Sequence, residues 1–238
     1  MLTTFANIFA SYPSTFMLQS DFLQFLYELS QNNNRDWFEK NKKRYEATVK
    51  KPFEQLVAAL ITRLQSIEPG FQIQPKDCIH RIYRDTRFSQ DKTPYKTHVS
   101  AVFTTRGKQT MEEPGYYFHL EFGNLMLGGG AYFLDKEPLY LVRKTIAQDL
   151  DAFREVINDP VFVQHFGSIQ GEKNKILPPE FKEMARQEPL LANKQFYFMA
   201  ELDPETCLRP DFADHAFSYF SAAKRFNDYF RKALTLKP

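Results

Sequence analysis

Cysteine is scarce in this chain. Cys78 and Cys207 are the only two in 238 residues, and neither belongs to a C-x-x-C pair. Their isolation argues against a disulfide framework and against a zinc site built on thiolates, so the expected location is a reducing compartment, the cytoplasm. Nor is there an excess of one charge. Thirty-one Lys and Arg face 29 Asp and Glu, a formal net charge of +2, so any preference for anions has to come from local clustering. No apolar run is long enough to cross a bilayer, and no membrane partner is expected. The stretch MLTTFANIFASYPSTFM lacks the basic start and small-residue cleavage site of a signal peptide, and Pro13 interrupts it. Residues 1–16 are therefore expected to be a loosely attached arm on a single domain spanning 17–238.

Several catalytic signatures are also missing. There is no G-x-S-x-G elbow and no H-E-x-x-H. His119-Leu120-Glu121 has the H-x-E of zinc deaminases but no Pro-Cys-x-x-Cys partner. Gly128-Gly129-Gly130 is followed neither by Lys-Ser/Thr nor by the dinucleotide-binding spacing. A close backbone approach, a bulge or a kinked strand explains three glycines better.

What the chain has in quantity is aromatic side chains, 24 of them phenylalanine, enough for a large core. Phe22, Phe25, Leu26 and Leu29 follow helical spacing after a Ser20 cap, and the asparagines at 32–34 end that helix. A second helix is expected from Arg35, with Trp37 and Phe38 buried, and a third opened by Pro52. The middle of the chain reads as strands at 78–84, 97–105, 115–122 and 124–133. In 115–122, Tyr116, Phe118 and Leu120 share one face, and Tyr117, His119 and Glu121 share the other. Helical spacing returns from Pro138 and again from about Asp211 to Leu234. The expected class is α+β: an antiparallel sheet of about four or more strands, packed by N-terminal and C-terminal helices.

RIYRDTRFSQDKTPYKTH, residues 81–98, holds the densest chemistry. Arg81, Arg84, Arg87, Lys92 and Lys96 stand against Asp85 and Asp91, a local +3 in eighteen residues. Arginine forks and lysine point charges suit phosphate or carboxylate, and interleaved tyrosines such as Tyr95 could stack on a base or sugar. Ligand-binding candidates are Arg81, Arg84, Asp85, Arg87, Lys92, Tyr95, Lys96, His98 and Tyr117. The bland alternative is a solvated loop whose arginines pair with Asp85, Asp91 and helix carboxylates. His119 and Glu121 are the candidate catalytic pair, able to do general acid–base work on a phosphoester-like bond. Asp85, His119 and Glu121 could instead hold a divalent metal, although no metal ligand is assigned. A histidine simply hydrogen-bonded to a glutamate on a helix-covered sheet explains the same pattern.

NNNRDWFEKNKKRYE (32–46), RIYRDTRFSQDKTPYKTH (81–98), GYYFHLE (115–121) and the glycines at 128–130 together resemble the family called domain of unknown function 2461. The resemblance runs from about Leu18 to Leu234 and is loose in the C-terminal third. It implies a cytoplasmic single domain with an Arg/Asp/Lys/Tyr loop, and it names no cofactor and carries no catalytic residue. Three functions remain open: binding of an anionic small molecule or nucleic acid, hydrolysis of a phosphoester-like bond, and docking of an acidic protein partner.

Overall fold

The computed structural model describes residues 17–235; the arm expected at 1–16 lies outside them. Helix α1 (Ser20–Gln31) buries Phe22, Phe25, Leu26 and Leu29, the four positions that helical spacing places on one side. Gln19, not Ser20, takes its N-cap position, and makes no side-chain bond there. Asn34 caps α2 (Arg35–Arg44) by accepting a hydrogen bond from the Trp37 N–H at 2.9 Å. Phe38 is fully buried, whereas Trp37 is only half-buried against Phe25, its ring centroid 5.5 Å away.

Pro52 stands in the first turn of the third helix, as expected, but no break separates that helix from the second. The chain runs helically from α2 through a π-helical stretch, Tyr45–Lys50, into α3 (Lys51–Gln65). Proline has no N–H to give to the preceding turn, and its ring crowds the carbonyl four residues back. The wider turn just before it, where the Lys51 N–H reaches Glu46 O, absorbs that misfit without a break.

The sheet has four antiparallel strands in the order β1 (His98–Phe103), β2 (Gly115–Glu121), β3 (Asn124–Ala131) and β4 (Phe196–Leu202). The expected strand at 78–84 is not one of them. Its first residues close a short helix, α4 (Pro75–Cys78), and the rest is irregular chain held by single bridges of Ile79 to Ala101 and Tyr83 to Tyr95. Charged and turn-forming residues follow at 84–94, so no continuous partner strand is available to it. The fourth strand comes instead from FYFMAEL, far along the chain.

Alternation gives the sheet two unlike faces. Val99, Ala101, Phe103, Tyr116, Phe118 and Leu120 point inward. Phe118 meets Phe53 of α3 at 5.5 Å and Phe212 at 6.1 Å. Helices α5 (Lys136–Gln148) and α6 (Leu150–Ile157) are separated at Asp149, whose carboxylate caps the second. Two more, α7 (Pro160–Phe166) and α8 (Met184–Gln187), lead toward β4. The expected C-terminal helix is two, α9 (Phe212–Ala222) and α10 (Lys224–Thr235), parted at Ala223. One polar knot ties this layer together. Glu68, 6% exposed, accepts from Tyr116 Oη at 2.5 Å and from Arg231 of α10 at 2.8 Å. Among the described residues no helix is long and apolar enough to cross a membrane.

Candidate functional site

The outward face of the same strands gathers His98, Ser100, Tyr117, His119 and Glu121. Register places His98 opposite Glu121 and Ser100 opposite His119, so the two histidines are diagonal neighbours. Their rings stack, with centroids 4.3 Å apart at 28°. Tyr117 Oη lies 3.1 Å from His119 Nδ1. The other ring nitrogen, Nε2, has no hydrogen-bond partner, although His119 is only 8% exposed. Glu121 Oε2 stands 3.7 Å from it, beyond hydrogen-bonding range. One ligand atom from each of His98, His119 and Glu121 lies within 4.8 Å of the other two, and these are the atoms that could hold a metal.

Burial decides the charge state of these groups. It pushes His98 down to about 4, helped by the neighbouring His119 and Lys96. His119 is also lowered by burial, against the opposing pull of Glu121. His80, beside the start of β1, is held at about 4 by burial and by Lys96 and Lys108. The three imidazoles are therefore neutral near pH 7.

Two cavities meet here. A cleft of about 540 Å³ lies over the outward face, walled by His80, Lys96, His98, Tyr117, Tyr132 and Tyr197. Its floor is kept free of side chains by the glycine run. A Cβ at Gly130, where φ is +106°, would lie 2.5 Å from the Phe196 carbonyl oxygen, so the expected close backbone approach is present. A smaller pocket of about 240 Å³ shares His80 and His98 with the cleft. Lys50, Lys76, Arg81 and Lys108 line it with a single carboxylate, Glu54. Lys108 is fixed by donating to the backbone carbonyls of Lys76, at 2.9 Å, and Ile79.

The 81–98 candidates separate into two groups. Arg84 is engaged with Asp91 and Thr93. Arg87 holds Asp85 at 2.6 Å, and Lys92 donates to the Thr86 carbonyl at 2.8 Å. The side chain of Arg87 on Asp85, and for Asp91 the Thr93 N–H followed by Arg84, pull both carboxyls down to about 2. Asp85 is thus held by Arg87 and is not in the cluster with His119 and Glu121; His98 occupies that place. Tyr95 is in the core, stacked on Phe38 at 4.0 Å, with its backbone bracketed by the Asn33 side chain. Of the five cations in the segment, Lys96 lines the cleft and Arg81 the small pocket. Burial, then Arg81 and Lys108, lower Lys96 from its ordinary value.

Sequence reasoning missed Lys50, Lys76, His80 and Lys108, because they come from α3's approach, α4 and a turn after β1. Nothing local marks them; a pairing of 79–80 with β1, through the His80 N–H to Ser100 O bond of 2.9 Å, was the signal needed. The model of the conserved hypothetical protein family DUF2461 matches residues 21–229, and the chain belongs to that family. Comparison with curated proteins and with solved structures found no match.

Proposed function

We propose that this protein binds a compact anionic molecule, bearing phosphate or carboxylate, in the small pocket where the start of β1 meets α3 and α4. The carrying observation is the charge balance of that pocket: Lys50, Lys76, Arg81 and Lys108 against Glu54 alone. Like charges gathered this closely repel, and an anion relieves the repulsion. Among the described residues, none of the four cations has a carboxylate within salt-bridge distance, unlike Arg84 and Arg87 of the neighbouring loop. Arg81 offers a planar fork for two oxygens, and Lys108 is held in place by backbone carbonyls before any ligand arrives. Binding should be salt-sensitive, since the charges are near solvent.

Calorimetric titration of metal-stripped protein with inorganic phosphate, adenosine monophosphate and a short oligodeoxythymidine tests this reading. The double change Lys76→Gln and Arg81→Gln should weaken phosphate binding at least about tenfold, the worth of one charge-assisted hydrogen bond. Arg84→Gln with Arg87→Gln should leave it unchanged. Equal affinity in wild type and the Lys76/Arg81 variant would remove the reading. Tighter binding of the oligonucleotide than of the mononucleotide would turn it toward nucleic acid.

A hydrolase of a phosphoester-like bond is the second reading, favoured by His98 lining both the basic pocket and the cleft that holds Tyr117 and Lys96. An anion seated in the pocket would present its far side to that face. Release of nitrophenol from p-nitrophenyl phosphate, lost in Glu121→Gln, would establish it. Docking of an acidic partner by the loop is less well supported, because its arginines already hold Asp85 and Asp91.

A further inference from the structure

We propose that His98, His119 and Glu121 form a divalent-metal site, two imidazoles and one carboxylate, on the outward face of the sheet, where His98 also lines the cleft. Two independent observations point to it. The first is convergence: the three ligand atoms come within 4.8 Å of one another, although two residues are on β2 and one is on β1. Ligands about 2.0–2.2 Å from a zinc-like ion at tetrahedral angles are roughly 3.4 Å apart, so the set closes when the His98 ring turns out of its stack on His119 and Glu121 swings toward them. The Nε2 to Oε2 separation of 3.7 Å is already near that value.

The second observation is the unpartnered nitrogen. His119 is 92% buried, by its 8% exposure, and its Nε2 meets no donor or acceptor of the protein. A buried polar atom left unpaired is costly, and a bound cation satisfies it. Its other nitrogen supports the same reading. Tyr117 Oη, 3.1 Å away, can accept the Nδ1 proton, and in that tautomer the Nε2 lone pair is free for a cation. A metal-ligating imidazole ordinarily hands its second N–H to such an acceptor, which fixes tautomer and orientation. Tyr117 is then a positioning residue.

Two histidines and one carboxylate favour a borderline first-row cation such as Zn²⁺, Co²⁺ or Fe²⁺ over Mg²⁺ or Ca²⁺, which prefer oxygen donors throughout. Three protein ligands leave a coordination position for water or a substrate atom. The inference shares His98 with the anion pocket but does not rest on the anion reading. It uses none of the pocket's cations, and it is tested without any multivalent anion present.

Metal-stripped protein is titrated with CoCl₂ in a chloride-only buffer, followed by the visible d–d absorption of cobalt, then displaced with ZnCl₂. The expected result is one equivalent of cobalt. Affinity should fall at least about 100-fold in His119→Ala and about 10- to 100-fold in Tyr117→Phe, whose role is orientation. The pair His165→Ala with His215→Ala, remote from the sheet face, should bind as wild type does. Circular dichroism and a thermal melt accompany each variant. Should His119→Ala fail to fold, Glu121→Gln and His98→Asn decide, since both side chains are only half-buried. Failure of wild type to take up cobalt, retention of the bands in those two variants, or a thiolate charge-transfer band from Cys78 or Cys207 would overturn the site.

Discussion

In the loop that follows Arg81, Arg84 reaches Asp91 and Arg87 reaches Asp85, each within seven residues along the chain. On the outward face of the sheet, the His119 Nε2 has no partner, and the cations of the adjoining pocket share one glutamate. Both regions are dense in titratable groups, but only the first settles its charges among its own neighbours. The loop can do so because it is exposed and its side chains are free to turn toward each other. The sheet face cannot: its groups are set by strand register, and register is fixed by what the opposite face buries. Unsatisfied chemistry is thus held in place by a core that does not depend on it, which is the usual arrangement of a binding or catalytic site.

If that comparison is right, the two sides of β2 should respond very differently to truncation. Phe118 is fully buried between α3 and α9, and Phe118→Ala should lower unfolding free energy by about 3–5 kcal/mol. Its neighbour on the other side is the contrast. His119→Gln keeps most of the volume and should cost less than about 1.5 kcal/mol. Urea denaturation measures both. A His119→Gln loss as large as that of Phe118→Ala would make the outward face part of the folding core and erase the distinction.

A smaller effect is expected at the cleft floor. Gly130→Ala places a Cβ 2.5 Å from the Phe196 carbonyl at a φ of +106°, and roughly 1–3 kcal/mol of strain should follow. Gly123, at φ +92° in the β2–β3 turn, has nothing within 4 Å of its would-be Cβ. Gly123→Ala therefore isolates backbone strain from collision and should cost less. Equal losses at the two positions would show that close approach of β3 and β4 is not what keeps the floor bare.

These regions also differ in how far the sequence betrays them. Alternation in 115–121 separates Phe118 and Leu120 from Tyr117, His119 and Glu121, and hydrophobic spacing locates α1 and α3, because each pattern is local. The loop's charge count is just as visible, but a count of residues does not show that Arg87 and Asp85 take one another while Arg81 and Lys96 line cavities. His98 beside His119, and Lys50 and Lys108 in one pocket, depend on strand pairing and on helix placement over dozens of residues. The strand expected at 78–84 fails for a related reason: its β-forming composition is real, but it pairs only in isolated bridges at Ile79 and Tyr83 and never as a continuous ladder. Strand β4, 65 residues beyond β3 by the numbers of its first residue and the last of β3, carries the same composition and does find one.

The smallest effect tests whether the loop is as self-contained as the comparison requires. Asp85 is depressed to about 2 chiefly by the Arg87 side chain, then by the Arg87 backbone N–H. Asp91, also at about 2, owes its shift first to the Thr93 backbone N–H and only then to Arg84. The two carboxyls should therefore part company under mutation. Carbon-detected NMR titration of the side-chain carboxyls should show Asp85 rising most of the way to its ordinary 3.8 in Arg87→Gln. Asp91 should rise only part of the way in Arg84→Gln, because the Thr93 donors remain. The sign for stability follows from the depressed values. Folded carboxyls that titrate below their unfolded value stabilise above about pH 4, and that contribution is lost as pH falls through about 2. Both aspartates are on the surface, so neither variant should move the thermal midpoint measurably at pH 7. A clear drop in that midpoint, or an Asp85 titration indifferent to Arg87→Gln, would mean the loop's charges answer to something outside it, and the contrast with the sheet face would fail.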